Sequence, residues 1–229
     1  MKSIVKITLI SLTLIVFNCK NNNTNLEYKF ADKPASIACN TPNEKLYLEA
    51  LYSFEEDIFN FYVKNNRSSN RASSLTYAYN QFTRNAVYGK VRYEGIVSKH
   101  TLAVFEALKN DNTLWDENNT KSHLSYSSPL IKCIGENIAD KNLKTTFNAL
   151  LSINDLSPKL FGAPLVSNYR SAISDKYLAT YIAFDLYYSR LFDIDLSNIT
   201  FPEKPETKVD FNNVPPPSHD PNAHAGHNH

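Results

Sequence analysis

The sequence predicts an all-α fold: an irregular bundle of about five to seven helices, between an N-terminal tether and a disordered C-terminal tail. Three observations predict it. Apolar and aromatic residues recur at alternating steps of three and four through much of positions 42–193, the period of one helix face. Ser, Thr or Asp repeatedly stands just before proline or an apolar run, which is helix-start chemistry. Only five glycines occur in 229 residues, too few for the hairpin turns on which β-sandwiches and barrels lean.

The first helix is expected over residues 42–64. Thr41 as N-cap, Pro42 at N1 and Glu44 at N3 read as a capping box, and Tyr47, Leu51, Phe54, Ile58 and Phe61 form the apolar stripe. The polar run 65–70 ends it. A second helix opens near Arg71 and keeps its stripe through Leu75, Tyr79, Phe82, Ala86, Gly89, Tyr93 and Ile96, with Ala86 and Gly89 small enough to admit a neighbour. Gly95 predicts a break near Glu94, after which Ser98 caps a helix carrying Leu102, Phe105 and Leu108. A polar loop of about 17 residues, long for a compact domain, then runs to Ser127 and is interrupted by Leu114 and Trp115.

Ser128 and Pro129 start the next helix, with Ile131, Ile134 and Ile138, and Asp140 restarts the pattern for Leu143, Phe147, Leu150 and Leu151. Ser157, Pro158, Gly162 and Pro164 read as a broken connector holding at most one or two short turns. Ser174 or Asp175 opens the last long helix, expected over 175–193. Its stripe of Tyr177, Tyr181, Phe184, Tyr188 and Leu191 is widened by Leu178, Ile182 and Leu186, so neighbours should enclose it. The two long helices are expected near the centre of a domain spanning 40–199. Residues 200–229 hold six prolines and four histidines and read as a tail that forms no core.

Ahead of the domain, Lys2 and Lys6 precede an apolar-leaning run from Ile7 to Phe17, followed by Asn18 and Cys19. A cationic start and an 11-residue apolar stretch have the make-up of a secretory signal. The stretch is shorter than the roughly 20 residues a bilayer-spanning helix needs. With a cysteine directly after it, the segment resembles a bacterial lipoprotein signal. The resemblance implies that residues 1–18 are removed and that Cys19 is lipidated and becomes the N-terminus. It also implies an anchor at the cell envelope, at the outer membrane on its periplasmic or surface face. Residues 19–39 then read as a tether, with a packed irregular arm through Leu26, Tyr28 and Phe30 as the alternative.

Loss of Lys2 and Lys6 with the signal takes the formal charge from +1 to −1. That balance argues against nucleic acid as a partner and equally against an electrostatic membrane-surface binder. The lipoprotein resemblance implies contact with the membrane through the lipid anchor and an envelope protein as partner. Cys39 and Cys133 remain as an even pair, expected to form a disulfide in an oxidising compartment, the alternative being two buried thiols. Such a bridge closes a loop of about 95 residues and adds roughly 4 to 5 kcal/mol on the chain-entropy view.

Chemistry is concentrated in the tail, where His219, His224, His227 and His229 lie beside Asp220. Imidazoles on a flexible segment suit Cu²⁺, Ni²⁺ or Zn²⁺; the plainer reading is a solvated tail without a specific role. His100 and His123 have neither HExxH nor Glu-x-x-His spacing, and GxSxG, CxxCH and glycine-rich phosphate loops are absent from the sequence. Asp185, inside the most apolar stripe, is expected to pair with Arg170 or Arg190. Gln81 and Arg84, beside Tyr77 and Tyr88, are candidates to line a groove for a polar ligand. The function these readings support is a non-catalytic, lipid-anchored envelope protein that binds a ligand or partner. The alternative is a metal-handling lipoprotein that uses its tail.

Overall fold

The computed structural model describes residues 26–63, 71–199 and 201. Among them are seven α-helices: α1 (Glu44–Val63), α2 (Arg71–Val87), α3 (Lys99–Leu108), α4 (Pro129–Asn137), α5 (Lys141–Ser152), α6 (Pro158–Asn168) and α7 (Lys176–Leu186). Short 3₁₀ turns at Tyr93–Gly95, Tyr169–Ile173, Tyr188–Asp193 and Leu196–Asn198 join or extend them. The described residues form no strand; a single isolated bridge pairs Trp115 with Leu124 in the long loop. The chain divides into a unit ending at Ile199 and a second, Thr200–His229, in which only Phe201 is described. No described helix is long and apolar enough to cross a membrane.

The helix starts obey local chemistry. Ser98, Ser128, Asp140, Ser157 and Asp175 each turn a side-chain oxygen onto a backbone N–H of the first turn, satisfying a donor that has no partner within the helix. At α1 the expected capping box takes another form. Glu44 reaches back to the N–H of Cys39 at 2.7 Å rather than to Thr41, whose hydroxyl is buried without a partner. Asn40, at φ 51°, turns the chain between them.

The second helix ends earlier than its stripe suggests. Gly89 adopts φ +65°, with the Lys90 N–H on Asn85 O at 2.7 Å and the Gly89 N–H on Ala86 O at 3.1 Å, a Schellman stop. A Cβ at Gly89 would meet nothing within 4 Å, so its role is backbone conformation, not close approach. The close approach belongs to Gly162, where a Cβ would lie 2.5 Å from Val87 Cγ1. The connector expected there is instead the 11-residue α6, with Pro164 inside it. Packing of Phe161 on Phe147 and Tyr181, with ring centroids 5.4 and 5.6 Å apart, holds the helix despite the proline.

The last helix is also shorter than expected. It stops at Leu186 and resumes as the 3₁₀ turn Tyr188–Asp193, where the Ser189 hydroxyl takes the Asp185 carbonyl at 2.6 Å. Every residue of α7 from Leu178 to Leu186 is buried, and α7 packs against α1, α2 and α4. Leu51, Phe54 and Ile58 of α1 bring its buried face to the same core.

The expected tether 19–39 is corrected from Leu26 onward, because that part packs on the bundle. Glu49 accepts the N–H groups of Lys29 and Phe30 at 2.7 and 3.0 Å, Tyr52 donates to Pro34 O, and Ile37 is buried. Cys39 forms the expected disulfide with Cys133 of α4, with Cα atoms 5.7 Å apart. The expected helix end at 65–70 lies outside the described residues.

Candidate functional site

Cys19 and the tail histidines His219, His224, His227 and His229 lie outside the described residues. No group of three or more His, Cys, Asp or Glu able to hold a metal ion occurs among the described residues. His100 on α3 places Nε2 2.6 Å from Glu49 Oε1, and His123 in the long loop places Nε2 2.7 Å from Asp193 Oδ1.

Buried carboxylates meet phenol hydroxyls throughout the core. Asp185 does not pair with Arg170 or Arg190 as expected: its two oxygens accept from Tyr126 at 2.9 Å and Tyr181 at 2.8 Å. Arg190 bonds Lys121 O instead, and Arg170 lies against Tyr169. Neutral hydroxyls satisfy the carboxylate without burying a second charge, which avoids the desolvation of a guanidinium. Burial raises the Asp185 carboxyl above its ordinary 3.8, and hydrogen bonds from Ser122, Tyr181 and Tyr126 pull it partly back. Asp57 is raised for the same reason, against hydrogen bonds from Thr101, Tyr187 and Ser98. At Asp111 burial also opposes ionisation, but bonds from Tyr47, Thr113 and Asn43 outweigh it and the carboxyl is lowered. Burial in turn lifts Tyr79, Tyr181, Tyr187 and Tyr188 well above 10, so these rings act as hydroxyl donors. Such satisfied pairs fasten helices together.

The site with ligand character is a half-open groove of about 870 Å³ beside the junction of α2 and α6. The Gly162–Val87 approach brings these elements together. Ala86, Val87, Val91 and Ala163 belong to its apolar lining, with Tyr93 held in place by its hydroxyl on Leu186 O at 2.8 Å. Tyr88 and Leu160 stand at the edge, 62% and 45% exposed. The lining also carries charge. Lys121 reaches Asp155 at 2.5 Å, and Arg190 donates to Lys121 O at 3.2 Å. Lys159, in the first turn of α6, completes the set and has no ion pair among the described residues.

A smaller hollow of about 610 Å³ lies beside Trp115, His123 and Phe192, but its polar groups are largely engaged. Asp111 is held by three side chains, Asp116 accepts the Asn118 N–H, and His123 meets Asp193.

Of the groove residues anticipated from the sequence, Tyr88 lines the site, whereas Tyr77, Gln81 and Arg84 do not. Lys121, Asp155, Lys159 and Arg190 carried no signal, because 121, 155 and 190 meet only in the folded chain. Fold and site define a disulfide-stapled all-α domain bearing an amphipathic groove. No protein-family model matches the chain, and neither does any curated protein or solved structure.

Proposed function

We propose that the protein is a non-catalytic binding module, held at a bacterial envelope through a lipidated Cys19, and that the α2–α6 groove is where it binds. The groove carries this reading: an apolar floor with a few convergent polar groups is the make-up of small-ligand sites, and its volume lies within their usual range of roughly 300–1,000 Å³. The Cys39–Cys133 disulfide supports export, since such bonds persist in oxidising compartments. The order of residues 2–19 supports the lipid anchor.

Native mass spectrometry of the full-length protein isolated from its own envelope tests the groove. A small-molecule adduct is expected on the wild type and is expected to be lost in Ala163→Trp, which fills the groove from an exposed position. An adduct retained by the variant would remove the groove from the proposal. Labelled fatty acid is expected on the wild type and absent from Cys19→Ala; a wild type without label would remove the anchor.

The four histidines between 219 and 229 favour a second reading, transition-metal handling. Calorimetric copper titration of the full chain against a 1–217 truncation separates it from the first. Equal uptake by both would exclude the tail.

A further inference from the structure

Resting on the reading of the groove as the binding site, we infer that its ligand is a small amphiphilic anion, an apolar or aromatic body carrying one carboxylate or phosphate. The lining holds three cations, Lys121, Lys159 and Arg190, against the single carboxylate of Asp155. The chain as a whole is close to neutral, with 24 basic and 23 acidic residues, so this surplus is local to the groove.

The cations are not equivalent. Lys121 is neutralised by Asp155, and Arg190 is steadied by Lys121 O and by Asp193 at 3.8 Å. Lys159 has no ion pair among the described residues and lines the same groove, one turn of α6 before Ala163. Arg190 and Lys159 therefore offer N–H donors to an anion without first breaking a buried pair. The guanidinium suits the two oxygens of a carboxylate or phosphate.

The rest of the lining is mostly apolar. Val87, Val91, Ala163 and the exposed Leu160 and Tyr88 offer apolar surface to the body of such a ligand. A cation would meet net repulsion at one end. A fully polar anion would leave the apolar bed wetted, which forfeits the contribution of about 25 cal/mol per Å² of apolar surface removed from water.

The experiment compares ligands with one chain and different heads, using residues 20–229 free of lipid and detergent, which retains every described contact. Decanoate, decyl phosphate, decanol and decyltrimethylammonium are titrated below their micelle concentrations and followed by calorimetry. The two anions should bind about tenfold more tightly than decanol, and the cation most weakly. Lys159→Glu should weaken both anions about fivefold and leave decanol unchanged. Arg190→Gln serves as a second variant, and Ala163→Trp should abolish binding of all four.

Vesicles of phosphatidylglycerol and of phosphatidylcholine distinguish the source of the anion. Binding to the former alone, displaced by decanoate, identifies a membrane headgroup; binding of soluble anions without vesicles identifies a free one. Either supports the inference. Equal binding of decanol and decanoate overturns the anion while leaving the groove as a site. No binding by any of the four overturns the inference, and the adduct measurement with Ala163→Trp then judges the groove independently.

Discussion

At Asp185 a carboxyl group sits fully buried between two phenols, and its native pKa is raised above the ordinary 3.8 by that burial. Between 3.8 and the raised value the native state keeps a proton that the unfolded chain has released. Stability contributed by this group is therefore complete below 3.8 and is lost as pH rises through the native value. Asp57 acts in the same direction; Asp111, lowered in the native state, contributes above 3.8 and loses that contribution as pH falls through its native value. Asp185→Asn removes the first dependence. Relative to wild type, the variant's stability should move in its favour from pH 3 to pH 8, as urea unfolding at several pH values would show. A difference independent of pH would mean that Asp185 is not perturbed. Glu49 gives a second test, because its two oxygens take the Lys29 and Phe30 N–H groups and His100. Glu49→Gln turns a donor toward one of those N–H groups and should lower stability by about 1–3 kcal/mol. Hydrogen exchange at Lys29 and Phe30 should accelerate, while α7 amides keep their ranking.

Among the elements, α6 depends on the absence of a side chain at Gly162. A methyl group there would overlap Val87, whose branched Cβ leaves it little freedom to turn aside. Gly162→Ala should therefore push α6 from α2 and lower stability by about 1–3 kcal/mol in urea. An unchanged midpoint would contradict the close approach. The starts of α3, α4, α5 and α7 were legible in the sequence because a cap is a bond made within three residues. Their ends were not. The apolar stripe past Gly89 continues at helical spacing although the backbone has already turned, and the stripe through Tyr188 continues in a 3₁₀ turn. Gly162 and Pro164 read locally as breakers; only the rings of Phe147 and Tyr181, distant in sequence, explain why a helix forms across them.

For the whole molecule, the disulfide is the covalent constraint, joining residues 94 apart. Reduction, or Cys39→Ser with Cys133→Ser, should lower stability by roughly 4–5 kcal/mol. Thermal unfolding with and without reductant measures this, and an unchanged midpoint would show that the bond adds little. The all-α class was readable because helix periodicity recurs in six of the seven described helices, so many local signals agree. The groove was not, since loop residue Lys121, Asp155, the start of α6 and Arg190 converge only through tertiary packing. The arm from Leu26 was equally obscure: its polar composition suggests solvent, whereas its backbone amides find Glu49.

The staple between Cys39 and Cys133 also decides how the domain answers a mechanical pull. Tension applied at the Leu26 end travels along the arm to Cys39, crosses to Cys133 and continues toward α5, α6 and α7. Once the arm's bonds to Glu49 and Tyr52 have given way, the covalent load path bypasses α1, α2 and α3, which lie within the loop. A stretched oxidised chain consequently withholds the contour length of the bridged segment, roughly 300 Å at full extension. Force spectroscopy should recover that length only after reduction, which makes the bond a shield for the three helices inside the loop.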